Sequence, residues 1–310
     1  MIVTLTANPS VDRAVLLAEP LRRHAVHRSE SELEQPGGKG VNISRAAVAA
    51  GIPTLAVLPA EKGSDFLREL HALGIDCQPE LPSGPIRVNL TITEPDGTTT
   101  KINSSGALAD ESLMHRLADA VLARADDCDW VVLAGSLPPG APDAWYAELA
   151  ARLRPSRARV AVDASGGPLL ALGAALGDAA PDLLKPNAEE LGQLTGTPVQ
   201  SPEEAASAAR DLVRRGAGHV LVTLGSGGAV LVDADHAWHA PAPPTKVVST
   251  VGAGDASLFG YLLGDLRGAP PETRLRLAVA YGSAAASLPG TTLPSPDQVH
   301  PDHLDVRLLA

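Results

Sequence analysis

The sequence Val251-Gly252-Ala253-Gly254-Asp255 precedes a long apolar run at 256–266, and this stretch organises the rest of the chain. Its two glycines allow a tight turn and a close approach of the backbone to a bound group. The apolar residues after them have helical spacing, so the glycines are predicted to lie at a helix N-terminus. Unpaired backbone N–H groups and the helix dipole favour an anion there, phosphate above all.

Asp255 adds a negative charge to this predicted anion site, and two interpretations stay open. A carboxylate in the first turn of a helix is an ordinary cap or dipole partner. Beside a phosphate-binding turn, it can instead act as the general base that phosphoryl transfer to a hydroxyl requires.

The composition narrows the class of protein. The 310 residues are 45% hydrophobic and 20% charged, which is typical of a globular chain. A net charge of −11 argues against nucleic acid and anionic membranes as main partners. Cys77 and Cys128 have no metal-binding spacing, and the chain shows neither a signal peptide nor a run of about 18 apolar residues. These features predict a cytoplasmic protein.

A second glycine-rich stretch, Gly-Gly-Lys-Gly-Val-Asn at 37–42, opens a predicted helix that ends at Gly51. Glycines at a helix start, with Lys39 and Asn42 beside them, form a candidate site for an anion and for hydroxyl groups. The alternative is a tight turn with an exposed lysine. The stretch is not a P-loop, because G-x-x-x-x-G-K-[ST] does not occur in the chain.

From residue 110 onward, predicted strands and helices alternate. Such units predict a mostly parallel sheet with helices on both faces, and ligands of these sheets bind at the carboxyl ends of the strands. Several residues follow predicted strands directly and are expected to share one site: Asp12, in a predicted loop at 8–12, and Gly135, Ser136, Lys185, Asn187, Thr223 and Gly225. A dinucleotide-binding Rossmann fold is disfavoured, because no G-x-G-x-x-G follows the first strand.

Six motifs in this order resemble the ribokinase-like (PfkB) carbohydrate kinases, and within them the 1-phosphofructokinase and tagatose-6-phosphate kinase branch. The motifs lie at 8–12 (NPSVD), 37–42 (GGKGVN), 135–140 (GSLPPG), 185–190 (KPNAEE), 223–228 (TLGSGG) and 251–255 (VGAGD). The resemblance covers nearly the whole chain. It implies a three-layer α/β/α fold with a mostly parallel central sheet. It also implies one kinase domain over 1–310 with a small β lid inserted from about 13–34 and 86–104.

The resemblance also implies an ATP- and Mg²⁺-dependent sugar-phosphate kinase, with Asp255 as general base and an anion hole formed by the amides of Gly252, Ala253 and Gly254. The sugar would be held by Asp12, Gly37, Gly38, Asn42, Asn89 and Ser136. The phosphate already on the sugar would meet Lys39, Arg87 and Lys101, at the end of the sugar remote from Asp255. The nucleotide would contact Lys185, Asn187, Thr223, Gly225 and Gly228. Asn187 and Glu190 would orient Mg²⁺ through water.

Fructose 1-phosphate is the expected substrate, and tagatose 6-phosphate and fructose 6-phosphate stay open because one sequence does not resolve them. A non-catalytic sugar-phosphate sensor on the same fold is the alternative of a different class. The lid should also carry an apolar face away from the sugar, and a homodimer through the lid would bury it. That face is predicted to contain Val15, Leu17, Val88, Leu90 and Ile92.

Overall fold

The structure is a computed structural model, and it describes residues 1–309. Its strands are β1 (Ile2–Leu5), β2 (Ser10–Leu17), β3 (Ser29–Gly37), β4 (Thr54–Pro59), β5 (Asp76–Glu80), β6 (Arg87–Thr93), β7 (Thr99–Asn103), β8 (Trp130–Ala134), β9 (Arg159–Asp163), β10 (Leu183–Leu184), β11 (His219–Thr223), β12 (Ala229–Val232), β13 (Ala237–Ala240) and β14 (Arg307–Leu308). Its α-helices are α1 (Lys39–Ala49), α2 (Asp65–Ala72), α3 (Glu111–Leu122), α4 (Trp145–Leu153), α5 (Gly166–Ala174), α6 (Leu176–Ala179), α7 (Ala188–Thr195), α8 (Pro202–Arg214), α9 (Ala253–Leu266) and α10 (Pro271–Ala286).

The central sheet has ten strands in the order β14-β13-β12-β11-β10-β9-β8-β1-β4-β5. The strands from β11 to β5 pair in parallel, whereas β12, β13 and β14 pair antiparallel at one edge. The mostly parallel sheet predicted from the alternating strands and helices is therefore confirmed.

Alternate residues of the central strands pack into two hydrophobic cores, one on each face of the central sheet. In β8, Val131 and Leu133 belong to the core under α3, α4, α5 and α8, while Trp130 and Val132 belong to the core under α1, α9 and α10. Because successive strand residues point to opposite faces, a strand buried on both faces needs an unbroken apolar run. This explains why the whole of β8 is apolar and buried.

A second, four-stranded sheet has the order β3-β2-β6-β7, and we call it the small sheet. Its strands lie within 10–37 and 87–103, so they overlap the two segments, about 13–34 and 86–104, that were expected to form the lid. Its strand β2 begins at Ser10, so Asp12 lies within a strand and the predicted loop over 8–12 is wrong at this position. Pairing extends this far because β3 and β6 both offer partners: Asp12 lies opposite Gln35 on one side and Asn89 on the other.

Three local features differ from expectation. The edge strands β5 and β14 were not predicted, because β5 is short, carries Pro79 and has charged ends, and β14 spans two residues. Helix α1 begins at Lys39, within the glycine-rich stretch, whereas the sequence predicts a helix over 43–50. At α8, the sequence Ser-Pro-Glu-Glu at 201–204 predicts a capping box. Ser201 caps the helix, but Glu204 Oε2 accepts from the Gln200 amide at 2.7 Å, so the box is not completed.

No helix within residues 1–309 is long and apolar enough to cross a membrane.

Candidate active site

The N-termini of α1 and α9 meet at one point. Each helix is preceded by a glycine in the left-handed region, Gly38 at φ 115° and Gly252 at φ 77°, and neither end has a side-chain cap. The Asn42 Nδ2 of α1 donates to the Asp255 Oδ2 of α9 at 2.8 Å. Because both helices direct their positive ends and free N–H groups to this point, it is suited to an anion.

The first turn of α9 keeps most of its amides available. The N–H groups of Gly252, Gly254 and Asp255 have no acceptor among the described residues. The Ala253 amide differs, since it is directed to the Thr250 carbonyl at 3.4 Å. Of the three amides expected in the anion hole, the structure therefore leaves those of Gly252 and Gly254 free and adds that of Asp255.

Asp255 is not a helix cap, because its carboxylate accepts from Asn42 on another helix. It is only 6% exposed. Burial, and then the nearby charge of Asp163, raise its pKa to about 6, against the opposing effects of Lys39, the Asn42 hydrogen bond and Lys185. A carboxylate whose pKa lies near the working pH is suited to take a proton from a hydroxyl.

Asp163, the last residue of β9, is fully buried and holds two lysines. Its Oδ1 accepts from Lys39 Nζ at 2.6 Å, and its Oδ2 lies 3.1 Å from Lys185 Nζ. Burial disfavours the charge of Asp163, but Lys185 and Lys39 together hold its pKa below the usual value. The lysine that the sequence left open as an exposed turn residue is thus anchored inside the site.

Lys39 lies within the electrostatic range of both Asp163 and Asp255. Burial opposes its charge, but Asp163 and then Asp255 outweigh that effect and raise its pKa. Arg87 interacts electrostatically with Asp12 instead, so the charge partners of the two cations do not overlap. Lys39 and Arg87 therefore do not share a charge partner, and the expectation that both hold the phosphate at the end of the sugar remote from Asp255 stays a prediction.

A cavity of about 520 Å³ opens on the other side of the α9 turn. Its wall includes Asn187, Thr223, Gly225 and Gly228, four of the five residues expected at the nucleotide. The fifth, Lys185, is absent from this wall because it points to Asp163 and packs against the α9 turn. The segment at 242–250 forms another part of the wall. Residues of α9 and α10, most of them small, form a further part: Ala253, Gly254, Ser257, Ala278, Val279, Gly282, Ser283 and Ala286.

The small sheet brings polar groups to the opposite side. Asp12 Oδ1 accepts from Ser10 Oγ at 2.8 Å and from Asn89 Nδ2 at 3.1 Å. Gly37 fits against this carboxylate because a Cβ there would lie 2.3 Å from Asp12 Oδ2. Arg87 donates to the Ser104 carbonyl at 3.0 Å, and burial lowers its pKa. Arg87 is therefore half-buried rather than a fully exposed strand residue.

Several buried polar atoms near this face have no partner within the described part of the chain. They are Asn42 Oδ1, Asn89 Oδ1 and Arg87 Nε. Leaving such atoms unpaired is costly, so they are suited to a ligand that supplies hydroxyl and anionic groups.

Two other predicted substrate residues occupy different surroundings. Lys101 is exposed on β7. Ser136 is half-buried, and its Oγ accepts from Asn8 Nδ2 at 3.4 Å, which ties the loop after β8 to the loop after β7.

Arg45 on α1 was not foreseen. It donates to Gln35 Oε1 at 3.1 Å and to the Thr291 carbonyl at 3.4 Å, and it lies within the electrostatic range of Asp12. Nothing in the sequence marked Arg45 as a site residue, because it lies about two turns into a helix and arginine is common on helix surfaces.

Asn187 and Glu190 form a complete capping box at the start of α7, with bonds of 2.8 and 2.9 Å. This structural role uses one oxygen of each side chain. The second Glu190 oxygen stays free among the described residues, and Asn187 lines the cavity. Within residues 1–309 no group of three or more His, Cys, Asp or Glu side chains could hold a metal ion. The free Glu190 oxygen and the Asn187 side chain at the cavity wall fit a magnesium ion held through water.

Comparison with known proteins identifies the family. The sequence pattern of the "pfkB family carbohydrate kinase" matches residues 6–298. The chain belongs to this family. It is 39% identical to 1-phosphofructokinase of Rhodobacter capsulatus over 303 residues, which cover 96% of this chain and 94% of the relative. It is 35% identical to 1-phosphofructokinase of Bacillus subtilis over 92% of each chain.

A crystal structure of phosphofructokinase-2 from Escherichia coli, in complex with substrates and products, superposes with a TM-score of 0.87. The two are 31% identical, and the match covers 96% of each chain. The family resemblance, the ribokinase-like fold and the class of enzyme inferred from the sequence are thereby confirmed. As a member of this family, the chain is a carbohydrate kinase, which transfers a phosphoryl group from ATP to a sugar hydroxyl.

Proposed function

We propose that this kinase phosphorylates fructose 1-phosphate with ATP, giving fructose 1,6-bisphosphate and ADP. The observation that carries the proposal is the buried carboxylate of Asp255, which lies at the free amides of α9 between the cavity and the small sheet. Identity of 39% to a 1-phosphofructokinase over nearly the whole chain supports the choice of sugar.

The nucleotide is proposed to occupy the cavity walled by Thr223, Gly225 and Gly228, with its terminal phosphate at the free amides of Gly252 and Gly254. These amides stabilise the charge that spreads over the transferring phosphoryl group. Magnesium would be held through water by Asn187 and Glu190. When bound, it would neutralise phosphate charge.

The sugar is proposed to lie between the small sheet and α1. Asp12 and Asn89 would bind its hydroxyl groups, and Asn42 would orient both the sugar and Asp255, since its Nδ2 already holds that carboxylate. Gly37 and Gly38 let the backbone come close, and Ser136 fixes the loop beside them. Asp255 would then accept the proton of the attacking hydroxyl.

The phosphate already on the sugar is proposed to meet Arg87, whose Nε lacks a partner. A guanidinium offers a planar fork matched to a phosphate. Lys101 is exposed on the neighbouring strand and adds charge at longer range. Lys39 is assigned to the reacting end because it pairs with Asp163.

A coupled assay of ADP release with a panel of sugars tests the proposal. Fructose 1-phosphate should give the highest kcat/KM, ahead of tagatose 6-phosphate, with free fructose far behind. Asp255→Asn should lower kcat by roughly 10²–10⁴-fold, the usual span for a positioned base. Full turnover by a folded Asp255→Asn protein would exclude Asp255 as the general base. If the parent protein turned over none of the sugars, a non-catalytic sugar-phosphate sensor would be favoured instead.

Fructose 6-phosphate is the second candidate, because the structurally similar phosphofructokinase-2 from Escherichia coli has a crystal structure in complex with fructose-6-phosphate. A higher kcat/KM with fructose 6-phosphate than with fructose 1-phosphate in the same panel would select it.

We also propose a homodimer through the small sheet. Strand register places Val88, Leu90 and Ile92 on the face opposite Asp12 and Asn89, together with the 55% exposed Ile102. Leu17 is already buried within the chain, so it does not need a partner. Light scattering at micromolar concentration should show a dimer. The cytoplasmic location expected from the sequence fits an enzyme that consumes ATP.

A further inference from the structure

Asp163 is a buried charge to which the proposed mechanism gives no role. It is the last residue of β9, which lies between β8 and β10 in the central sheet. Its backbone is fixed at this point, because the Gly135 amide donates to its carbonyl at 2.9 Å. A fully buried carboxylate needs charged partners, and Lys39 and Lys185 supply them at 2.6 and 3.1 Å.

The two lysines come from different elements, Lys39 from α1 and Lys185 from the segment directly after β10. Lys39 is the first residue of α1, and its side chain remains 32% exposed, so part of it faces the site. Lys185 is 4% exposed, and a Cβ placed on Gly254 would lie 3.4 Å from its Nζ. The ammonium group of Lys185 therefore lies against the turn whose amides are free.

A lysine side chain has four rotatable carbons and loses much of its freedom when it is fixed. A carboxylate that accepts a hydrogen bond from the ammonium group of Lys39 and forms an ion pair with that of Lys185 holds the two charges in one place before substrate arrives. Such preorganised charge is what stabilises a transition state in which negative charge moves.

We propose that Asp163 is a positioning residue of the kinase site, whose two carboxylate oxygens hold the ammonium groups of Lys39 and Lys185 where the phosphoryl group passes from ATP to the sugar. This inference rests on the proposed function of Asp255 and of the α9 turn. Asp163 itself touches neither substrate.

Asp265 provides a matched control. It is also a buried carboxylate between two cations, Arg159 and Arg274, and it accepts from Trp130 Nε1 at 2.8 Å. It lies on the same helix as Asp255 but ten residues later, or about 15 Å along the axis. Its removal should disturb packing without reaching the phosphoryl path.

Few charged groups face Asp255, so the pKa of Asp255 reports directly on a change in any one of them. They are Lys39 from α1, Asp163 from β9 and Lys185 from the segment after β10, with the neutral Asn42 in contact. Removing the negative charge of Asp163 should lower the pKa of Asp255, and removing the positive charge of Lys39 should raise it. These shifts test whether the charges lie at Asp255, and the coupling of the Asp163 and Lys39 substitutions in kcat tests the positioning role, because a merely structural Asp163 predicts no such coupling.

The experiment measures steady-state kinetics and the carboxyl ¹³C NMR titration of Asp255 in the Asp163→Asn, Lys39→Met and Asp265→Asn variants and in the protein that combines Asp163→Asn with Lys39→Met. For Asp163→Asn we expect kcat to fall by about tenfold to hundredfold, the loss typical of misplaced charged groups, with a smaller change in KM. In the Lys39→Met background the same substitution should cost less than it does alone, because one of its two partners is gone.

The proposal is overturned if Asp163→Asn resembles Asp265→Asn in kcat and leaves the Asp255 titration unmoved. If Asp163→Asn does not fold, Lys39→Met still decides: an unchanged kcat and an unchanged Asp255 titration would overturn the proposal. The NMR titration needs no turnover. If the parent protein has no kinase activity but the Asp255 pKa still shifts in opposite directions in the two variants, the proposed function is refuted and the arrangement of charges around Asp255 is supported.

Discussion

Replacing Asp255 by Asn should stabilise the protein at neutral pH while it removes activity. Burial and the charge of Asp163 raise the pKa of Asp255 from 3.8 to about 6, so the folded state disfavours the ionised form. At 1.36 kcal/mol per pKa unit, a shift of about 2 units corresponds to about 3 kcal/mol. Asparagine has no charge to bury, and its side-chain oxygen can still accept from Asn42 Nδ2.

The direction of the pKa shift determines the pH range in which the Asp255 carboxylate destabilises the folded state. A carboxyl whose pKa is higher in the folded than in the unfolded state costs no stability below about pH 4, where both states are protonated. The cost grows between about pH 4 and pH 6 and is complete above that range. The stability gained by Asp255→Asn should therefore be about 1.5 kcal/mol at about pH 5 and about 3 kcal/mol at about pH 7.5.

Urea unfolding at the two pH values measures this gain as a higher midpoint with an unchanged slope. Asp265→Asn is the contrasting control, because breaking a buried ion pair costs about 3–5 kcal/mol and should lower the midpoint. If Asp255→Asn is no more stable than the parent at about pH 7.5, burial does not disfavour this carboxylate, and the physical basis of its raised pKa is wrong.

Three further outcomes are expected. The kcat/KM of the parent enzyme should fall about tenfold between pH 7 and pH 5, because a base with a pKa of about 6 loses its ionised form there; a flat profile would contradict this. Arg87→Ala should lower kcat/KM for fructose 1-phosphate at least tenfold, since charge-assisted bonds are worth about 1.5–3 kcal/mol. The KM for ATP should stay unchanged, and the exposed Lys101→Ala should have a smaller effect; equal losses for fructose and its phosphate would exclude phosphate recognition by Arg87. Ile92→Asp should convert the proposed dimer to monomer in light scattering, and a dimer that persists would place the interface elsewhere.

Sequence reasoning worked best where the residue pattern reports burial directly. Strands such as β8 are apolar at every position because both faces are covered, and this is visible without a structure. The glycines before α1 and α9 were equally informative, since positive φ at both caps leaves glycine as the natural residue. These features placed Asn42 and Asp255 at helix starts, and the structure joins them by a hydrogen bond.

The sequence could not show which long side chains meet. Lys39 was paired with Arg87 because both are cations near predicted sugar contacts, yet Lys39 reaches Asp163, which lies 124 residues away in the chain. Asp163 went unnoticed because it ends an apolar strand and belongs to none of the six motifs. The available signal was its place at the carboxyl end of a parallel strand, where ligands of such sheets bind.

The charge balance of the site explains how a buried base can work beside phosphates. The charges of Lys39 and Lys185 formally cancel those of Asp163 and Asp255, so the cluster holds an ionised base without burying net charge. When Asp255 takes the hydroxyl proton, the cluster gains one positive charge. On the proposed mechanism this change occurs as the new phosphate ester forms beside it. Proton uptake then increases the attraction for the phosphoryl group at the moment of transfer, with no cation having to move.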